Sequence, residues 1–398
     1  MSNGSSITHF LLLAFTDTRE LQLLHFCLFL GIYLAALLGN GLIITAVACD
    51  HRLHTPMYFF LLNLALLDLG CISTTLPKAM ANSLWHTRAI SFSGCAAQVF
   101  LFVSLISAEF YLLTVMAYDR YVAICKPLHY GSLLGSRACV HMAAAAWGSG
   151  FLHALLHTAN TFSISLCQGN GLDQFFCEIP QILKLSCSQS DYLREVGLIV
   201  FGASLFSLCF VFIVVSYVQI FRAVLRMPSQ QGQHKAFSTC LPHLVIVSLF
   251  ISTSFFSYLK TPSITSPVLD LVLSILYSVV PPAVNPLIYS MRNQELKDAL
   301  RKLIGHFFIS HRLSLVAHPR FTGECDCEAI SILLLGSVPG SGEPQEKAWW
   351  EDAEEPFHLM GAGGDVLIIP LPLTTPPPGC SCYHHYRCKV ISRLILSE

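Results

Sequence analysis

An all-α fold, a bundle of seven membrane-spanning helices, is what the sequence predicts, and three observations predict it. Hydrophobic residues make up 54% of the 398-residue chain and charged residues 12%. An ordinary soluble domain carries about 25% charged residues, so most of this surface cannot face water. The apolar residues gather into seven runs, each near the ~20 residues that a bilayer crossing needs. Lys and Arg gather on alternate loops, which is the bias that orients a membrane protein.

The N-terminal segment, residues 1–23, is short and polar at its start, and Asn3-Gly4-Ser5 fits the N-glycosylation acceptor pattern. The first apolar run, Leu24 to Ala48, is too long for a signal-peptide core and lacks a small-residue cleavage site after it. It reads as a span that also targets the chain, with no cleavable signal. Further runs follow at Met57–Met80, Ala97–Val122, Cys139–Asn160, Val196–Phe221, Ala236–Leu259 and Leu269–Met291.

Orientation follows from the basic residues. Arg120, Lys126 and Arg137 flank the loop after the third run, Arg222, Arg226 and Lys235 that after the fifth, and Arg292, Lys297, Arg301 and Lys302 follow the seventh. The opposite face is sparser, with Lys78, Arg88, Lys184, Arg194 and Lys260. The N-terminus is therefore expected outside and the C-terminus in the cytoplasm.

Polar residues within the runs are few. Asn40, Asp68, Glu109 and Asn285 would be expensive facing lipid, so they are expected to point inward and meet one another or water. Two carboxylates so placed need a cation, a shared proton or water to coexist, and a small cation or a bound proton is the sharper expectation. Helix-to-helix hydrogen bonding without a ligand is the plainer one. The third run ends in Asp119-Arg120-Tyr121, an acid–base pair at the membrane boundary. Pro281, Pro282 and Pro286 crowd the seventh run and predict a kink or local unwinding. Beyond it, Asn293 to Ile304 spaces Leu296, Leu300 and Leu303 or Ile304 at helical intervals between charges, the pattern of an amphipathic helix along the inner membrane surface.

Several of the sixteen cysteines fall inside apolar runs, where a free thiol behaves as a small apolar side chain. On the oxidising face stand Cys95, at the start of the third run, and Cys167, Cys177 and Cys187, in the loop from Thr161 to Glu195. Four cysteines allow three pairings. Their ten-residue intervals lack the short Cys-x-x-Cys spacing of a zinc site, and no metal or cofactor is expected.

Asp119-Arg120-Tyr121, Asn285-Pro286-Leu287-Ile288-Tyr289, Asn40, Asp68 and Cys95 together resemble the rhodopsin-like G-protein-coupled receptors. More narrowly, Pro56-Met57-Tyr58-Phe59-Phe60-Leu61, Met116 through Tyr130, Lys235-Ala236-Phe237-Ser238-Thr239-Cys240 and Pro286 through Asn293 look like the vertebrate olfactory receptors, from the N-terminus to about Ile304. The resemblance implies a plasma-membrane receptor that binds odorants in the outer half of the bundle and activates a stimulatory G protein of the olfactory type, raising cyclic AMP. It implies the pairings Cys95–Cys177 and Cys167–Cys187. It makes Asp119, Arg120 and Tyr121 an inner lock toward which Tyr217 and Tyr289 swing on activation, with Asn285 and Pro286 in the moving segment. Glu109 with Asp68 matches the acidic pair beneath the ligand pocket. Two places depart from the family pattern: Phe250-Ile251-Ser252-Thr253, which makes the pocket floor more aliphatic, and Pro242, which is expected to bend the inner end of the sixth span.

An odorant is small and mostly apolar, so burial among apolar side chains with one or two polar groups should hold it. The candidates by helical position are Phe102, Ile106 and Ser107, then Phe201 and Phe206, then Ile251, Ser254, Phe255 and Tyr258, then Ile275 and Ser278. Each doubles as ordinary interior packing.

The chain thus divides into residues 1–23, a bundle with its amphipathic helix at 24–304, and a tail at 305–398 that reads as disordered. Gly361–Gly364 and Pro376-Pro377-Pro378-Gly379 argue for disorder there, and no run in the tail is long enough to span. Cys325, Cys327, Cys380, Cys382, His384, His385 and Cys388 are candidates for metal binding, and Cys325 and Cys327 for acylation. The tail reads as an incidental extension, the alternative being a receptor variant impaired in trafficking or coupling by it. The runner-up class, a small-solute or ion transporter, predicts internal repeats, and the two halves show none. No His-Glu-x-x-His or Gly-x-Ser-x-Gly motif supports an enzyme, and no basic patch supports nucleic-acid binding. The seventh run has no Lys for a Schiff base, and no acid near Phe102 suits an amine ligand.

Overall fold

The structure, a computed structural model, describes residues 8–13, 15–16, 18–167, 169–187, 189–258 and 267–316. Of 189–192, 253–258, 267–270, 291–292 and 306–316 it describes the helix but not the side chains. Asn3 and the tail cysteines and histidines lie outside the described residues.

Among the described residues, six helices are long and apolar enough to cross a membrane, and a bent pair supplies a seventh span. They are α1 (Arg19–Cys49), α2 (Pro56–Trp85), α3 (Phe92–Cys125), α5 (Ser136–Thr161), α7 (Gln189–Leu225), α8 (Gln230–Tyr258) and the pair α9 (Pro267–Ser278) and α10 (Val280–Arg292). Short helices α4 (Tyr130–Leu133) and α6 (Ile179–Leu183) lie in the connections, and α11 (Gln294–Val316) follows. Residues up to Leu300 form one compact unit, and Arg301–Val316, the rest of α11, belongs to a second.

The helices begin and end where local chemistry dictates. Pro56 opens α2 directly after Thr55, a position where its missing N–H costs nothing. The same helix closes on His86 at φ +53°, in the left-handed region that often terminates helices. Ser91 caps α3, its hydroxyl accepting from the Gly94 N–H at 3.0 Å. The seventh span breaks at Val279 with a bend of 41°. Pro281 and Pro282 have no N–H to offer the carbonyls one turn back, so the ladder of α9 cannot continue. Pro242, by contrast, lies inside α8 without ending it.

The third span is the hub, in contact with α2, α5, α7 and α8. One apolar cluster runs from the Arg120 end to the middle of the bundle and includes Leu64, Phe110, Leu113, Met116, Tyr217 and Ile246. A second, with Phe29, Ile72, Leu76, Phe102, Phe175 and Phe176, fills the disulfide-bearing half. The outward faces are apolar too, as a lipid-facing surface requires: Leu208, Val211, Phe212 and Val215 of α7 are all exposed.

Two features differ from the sequence expectation. A strand pair was not foreseen: β1 (His9–Leu11) runs antiparallel to β2 (Ala89–Ser91), with Phe10 opposite Ile90. Residues Gln189 to Glu195, read as loop, are helical in α7, because the charged residues there lower the apolar signal without stopping the helix.

Candidate functional site

Three layers of polar and aromatic residues lie along the bundle. In the middle, the Asn285 amide donates to both carboxylate oxygens of Asp68, at 3.0 and 3.1 Å. All of Asn40, Asp68, Glu109 and Asn285 are at most 2% exposed. Glu109 Oε1, Asn285 Oδ1, Asn40 Oδ1 and the Tyr289 hydroxyl are buried with no hydrogen-bond partner among the described residues. Asn40, Asp68, Asn285, Pro286 and Tyr289 line a narrow gap with Leu61, Leu64 and Ala65. The other Asn40 group is spoken for: its amide donates to the carbonyl of Pro282 at 2.9 Å. Pro286 lacks the N–H that would otherwise serve that oxygen. Gly39 lets the two helices close, since a Cβ there would fall 3.0 Å from Pro286 Cβ.

At one end, Asp119 Oδ2 meets the Arg120 guanidinium at 2.5 Å, both side chains buried. Tyr130 of α4 donates its hydroxyl to Asp119 Oδ1 at 2.8 Å. Burial, and then the Asp119 carboxylate, push the Tyr130 phenol well above its ordinary range, so it remains a donor. Tyr217 bonds His243 Nδ1 at 2.7 Å, and His243 Nε2 lies 3.0 Å from the Leu113 carbonyl, which ties α7 and α8 to α3. Tyr121 sits under Lys126, whose ammonium is 5.8 Å from the ring centroid. Nearby, Tyr58 lies 2.9 Å from Asn293 Oδ1 and 2.8 Å from Glu295 Oε2, and Asn293 Oδ1 accepts from the Leu296 N–H that opens α11.

At the other end, disulfides join Cys95 to Cys177 and Cys167 to Cys187. The first pins the loop between α5 and α7 over the bundle mouth. Gln98 secures it further, accepting from the Cys177 N–H at 2.9 Å while its amide donates to the Thr74 carbonyl. Phe175 and Phe176 of this loop are buried, and Phe176 packs edge-on against Phe102 at 5.1 Å. Ser274 donates to Gln174 Oε1 at 2.7 Å, and Tyr277 donates to Glu178. The N-terminal strand closes the same mouth: Leu11 bonds to Asn170 and Leu172, and Leu13 to Gln174.

Of the pocket candidates, Phe102, Ile106 and Ile275 come together beneath the loop. Ser107 and Ser278 are buried, and Ser278 donates to the Ser274 carbonyl at 2.6 Å. Phe206 and Ile251 pack deeper, Phe206 lying 5.0 Å from Phe110 and 5.6 Å from Tyr111. Phe201 is a correction: its side chain is 59% exposed. Its neighbour Gly202 is the residue that packs against α5, at His153, and a one-residue step turns a helix by about 100°. The side chains of Ser254, Phe255 and Tyr258 lie outside the described residues. Among the described residues no three His, Cys, Asp or Glu side chains cluster in a way that would hold a metal.

A family model for olfactory receptors matches residues 26–306. The chain belongs to the olfactory receptor family. Olfactory receptor 14A16 of Homo sapiens is 51% identical over 304 residues, which is 76% of this chain and 98% of that protein. Olfactory receptor 14J1 of Homo sapiens is 50% identical over 305 residues, 77% and 95% of the two chains. Olfactory receptor 1G1 of Gorilla gorilla gorilla is 46% identical over 302 residues, 76% and 96%. As a member of that family, the receptor is a multi-pass plasma-membrane protein, and its residues 307–398 lie beyond the matched region.

One polar cluster of the receptor escaped the sequence reading. Glu195, fully buried, accepts from His157 Nδ1 at 2.7 Å and from the Asn160 amide. His153, one turn from His157, packs against it with ring centroids 4.5 Å apart and planes tilted by 51°, and stands 5.5 Å edge-on to Phe206. The signal available was the pair of histidines four residues apart, which share a helix face. Their partner carboxylate lay in what read as a loop.

Proposed function

We propose that the chain is an odorant receptor that takes up a small, mostly apolar volatile molecule in the disulfide-bearing half of the bundle and activates a heterotrimeric G protein of the stimulatory olfactory type, raising cyclic AMP. The observation that carries this reading is the family match over residues 26–306. The pinned loop and the aromatic residues beneath it support a ligand site at that end, where burial of apolar surface supplies affinity and a few polar groups supply orientation. The buried Asp119–Arg120 pair, held by Tyr130, supports a coupling site at the other end. With the basic loops on that side, the N-terminus is extracellular, with a glycan on Asn3, and the C-terminus is cytoplasmic. Residues 1–23, 24–304 and 305–398 act as outer segment, receptor and tail.

A ligand shifts the receptor only by binding the active arrangement better than the resting one. The Tyr217–His243 link, the bend at Val279 and the Asn285–Asp68 contact join different helices or halves of one, and in this reading they are the contacts that rearrange on activation. The unpartnered oxygens of Glu109 and Asn285 suit a small cation or a shared proton in that layer.

The test is a cyclic AMP reporter screen over an odorant panel in cells, with the full chain and a chain stopped after Ile304, surface delivery being measured in parallel. A dose-dependent response that requires the stimulatory G protein supports the reading. Surface-delivered receptor silent in both forms would contradict it, and a response from the shortened chain alone would assign the tail an inhibitory effect.

A further inference from the structure

The cluster around Glu195 lies between α5 and α7, beside the aromatic side chains that the ligand site needs, and none of the roles above uses it. Its carboxylate is already met by His157 and Asn160. The adjacent guanidinium, Arg194, is turned to Ser163 at 2.9 Å. What the cluster has left to offer is the imidazole of His153, half-buried and without a hydrogen-bond partner among the described residues. The ring is held in place on three sides: by His157 at 4.5 Å, by Phe206 at 5.5 Å, and by Gly202, where a Cβ would fall 2.7 Å from His153 Cε1. A polar group braced in this way, next to an aromatic wall of Phe206, Phe110 and Tyr111, is how a largely apolar pocket fixes orientation.

We propose that His153 is the polar anchor of the ligand site, and that the preferred ligands are neutral oxygenated aliphatic molecules: alcohols, aldehydes, ketones or esters. The oxygen meets the imidazole, and the hydrocarbon chain lies along Phe206 and its aromatic neighbours. An imidazole both donates and accepts, so it suits a hydroxyl and a carbonyl alike. The Glu195 carboxylate and the Arg194 guanidinium are already turned to other partners, so His153 favours neutral ligands over carboxylates and alkylammonium ions. This assignment rests on the reading that the receptor binds small volatile molecules between these helices.

The experiment uses the full chain purified into lipid nanodiscs and the ligand-induced shift of its melting temperature. The probes are series of short straight-chain alkanes, alkanols, alkanals, alkanoates and alkylamines. Alkanols and alkanals are expected to bind more tightly than alkanes, alkanoates or alkylamines of equal length. His153→Phe should weaken the alkanol and alkanal by about tenfold in Kd, the scale of one lost hydrogen bond, and leave the alkane unchanged. Gly202→Ala, which displaces the ring, should reproduce that pattern, and His153→Asn should retain part of the binding. If His153→Phe does not fold, the Gly202→Ala and His153→Asn comparison decides alone. A panel that binds without regard to functional group, tighter alkanoate or alkylamine binding, or equal losses for alkane and alkanol would each overturn the anchor while leaving the receptor reading intact. A panel in which no series binds would overturn both.

Discussion

The Asn40 amide stands in for the backbone donor that Pro286 lacks, 2.9 Å from the Pro282 carbonyl. A kinked seventh span thereby keeps its exposed oxygen satisfied from a neighbouring helix, and α1 becomes a fixed support for the bend. In a lipid environment an orphaned carbonyl has no water to turn to.

Asn40→Ala should therefore destabilise the bundle by about 1–3 kcal/mol, the cost of a buried unsatisfied group. Pro286→Ala restores the missing N–H, so the double variant should lose less than the two single losses combined. Melting temperatures of the purified variants decide it, and strict additivity would count against the substitution of one donor for the other.

Arg120→Ala should abolish nucleotide exchange on the G protein with surface delivery preserved. Tyr130→Phe removes one hydrogen bond to the Asp119 carboxylate, worth about 1.5–3 kcal/mol to a charged group. Basal exchange should rise in that variant. Normal ligand-driven exchange with Arg120→Ala would refute the coupling role.

Cys95→Ser should cost more than Cys167→Ser. The bonds close loops of 82 and 20 residues, which loop-closure entropy ranks at roughly 4–5 against roughly 3 kcal/mol. Cys95→Ser also frees the Phe175–Phe176 plug. Surface delivery and melting temperature are the readouts, and equal losses would contradict both the loop-length ranking and the contribution of the plug.

Tyr58→Phe should loosen α11 without unfolding the bundle, because the hydroxyl reaches both Asn293, which caps that helix, and Glu295. Hydrogen exchange of residues 294–300 is expected to quicken while α2 stays protected. Unchanged exchange there would remove Tyr58 from the anchoring of α11.

The spans were legible because each carries its own apolar run, and the bend at Val279 because proline announces it locally. The inward direction of Asp68 and Glu109 followed from the cost of facing lipid. What failed depended on partners distant in sequence. Three-residue β1 has no pattern of its own and exists because β2 and the loop at 170–174 accept it. Phe201 and Phe206 look alike in sequence, and only the packing of Gly202 on His153 sets which of them turns inward. Glu195 read as a loop residue because a charge near a helix end lowers the apolar signal, although its side chain is fully buried.

The placement of β1 has a consequence for biosynthesis. His9 to Leu11 leave the ribosome before any span does, yet their partners at 89–91 arrive after two spans and those at 170–174 after four. A segment made before the spans it caps is thus among the last to settle, and until it does its strand edge stays unpaired.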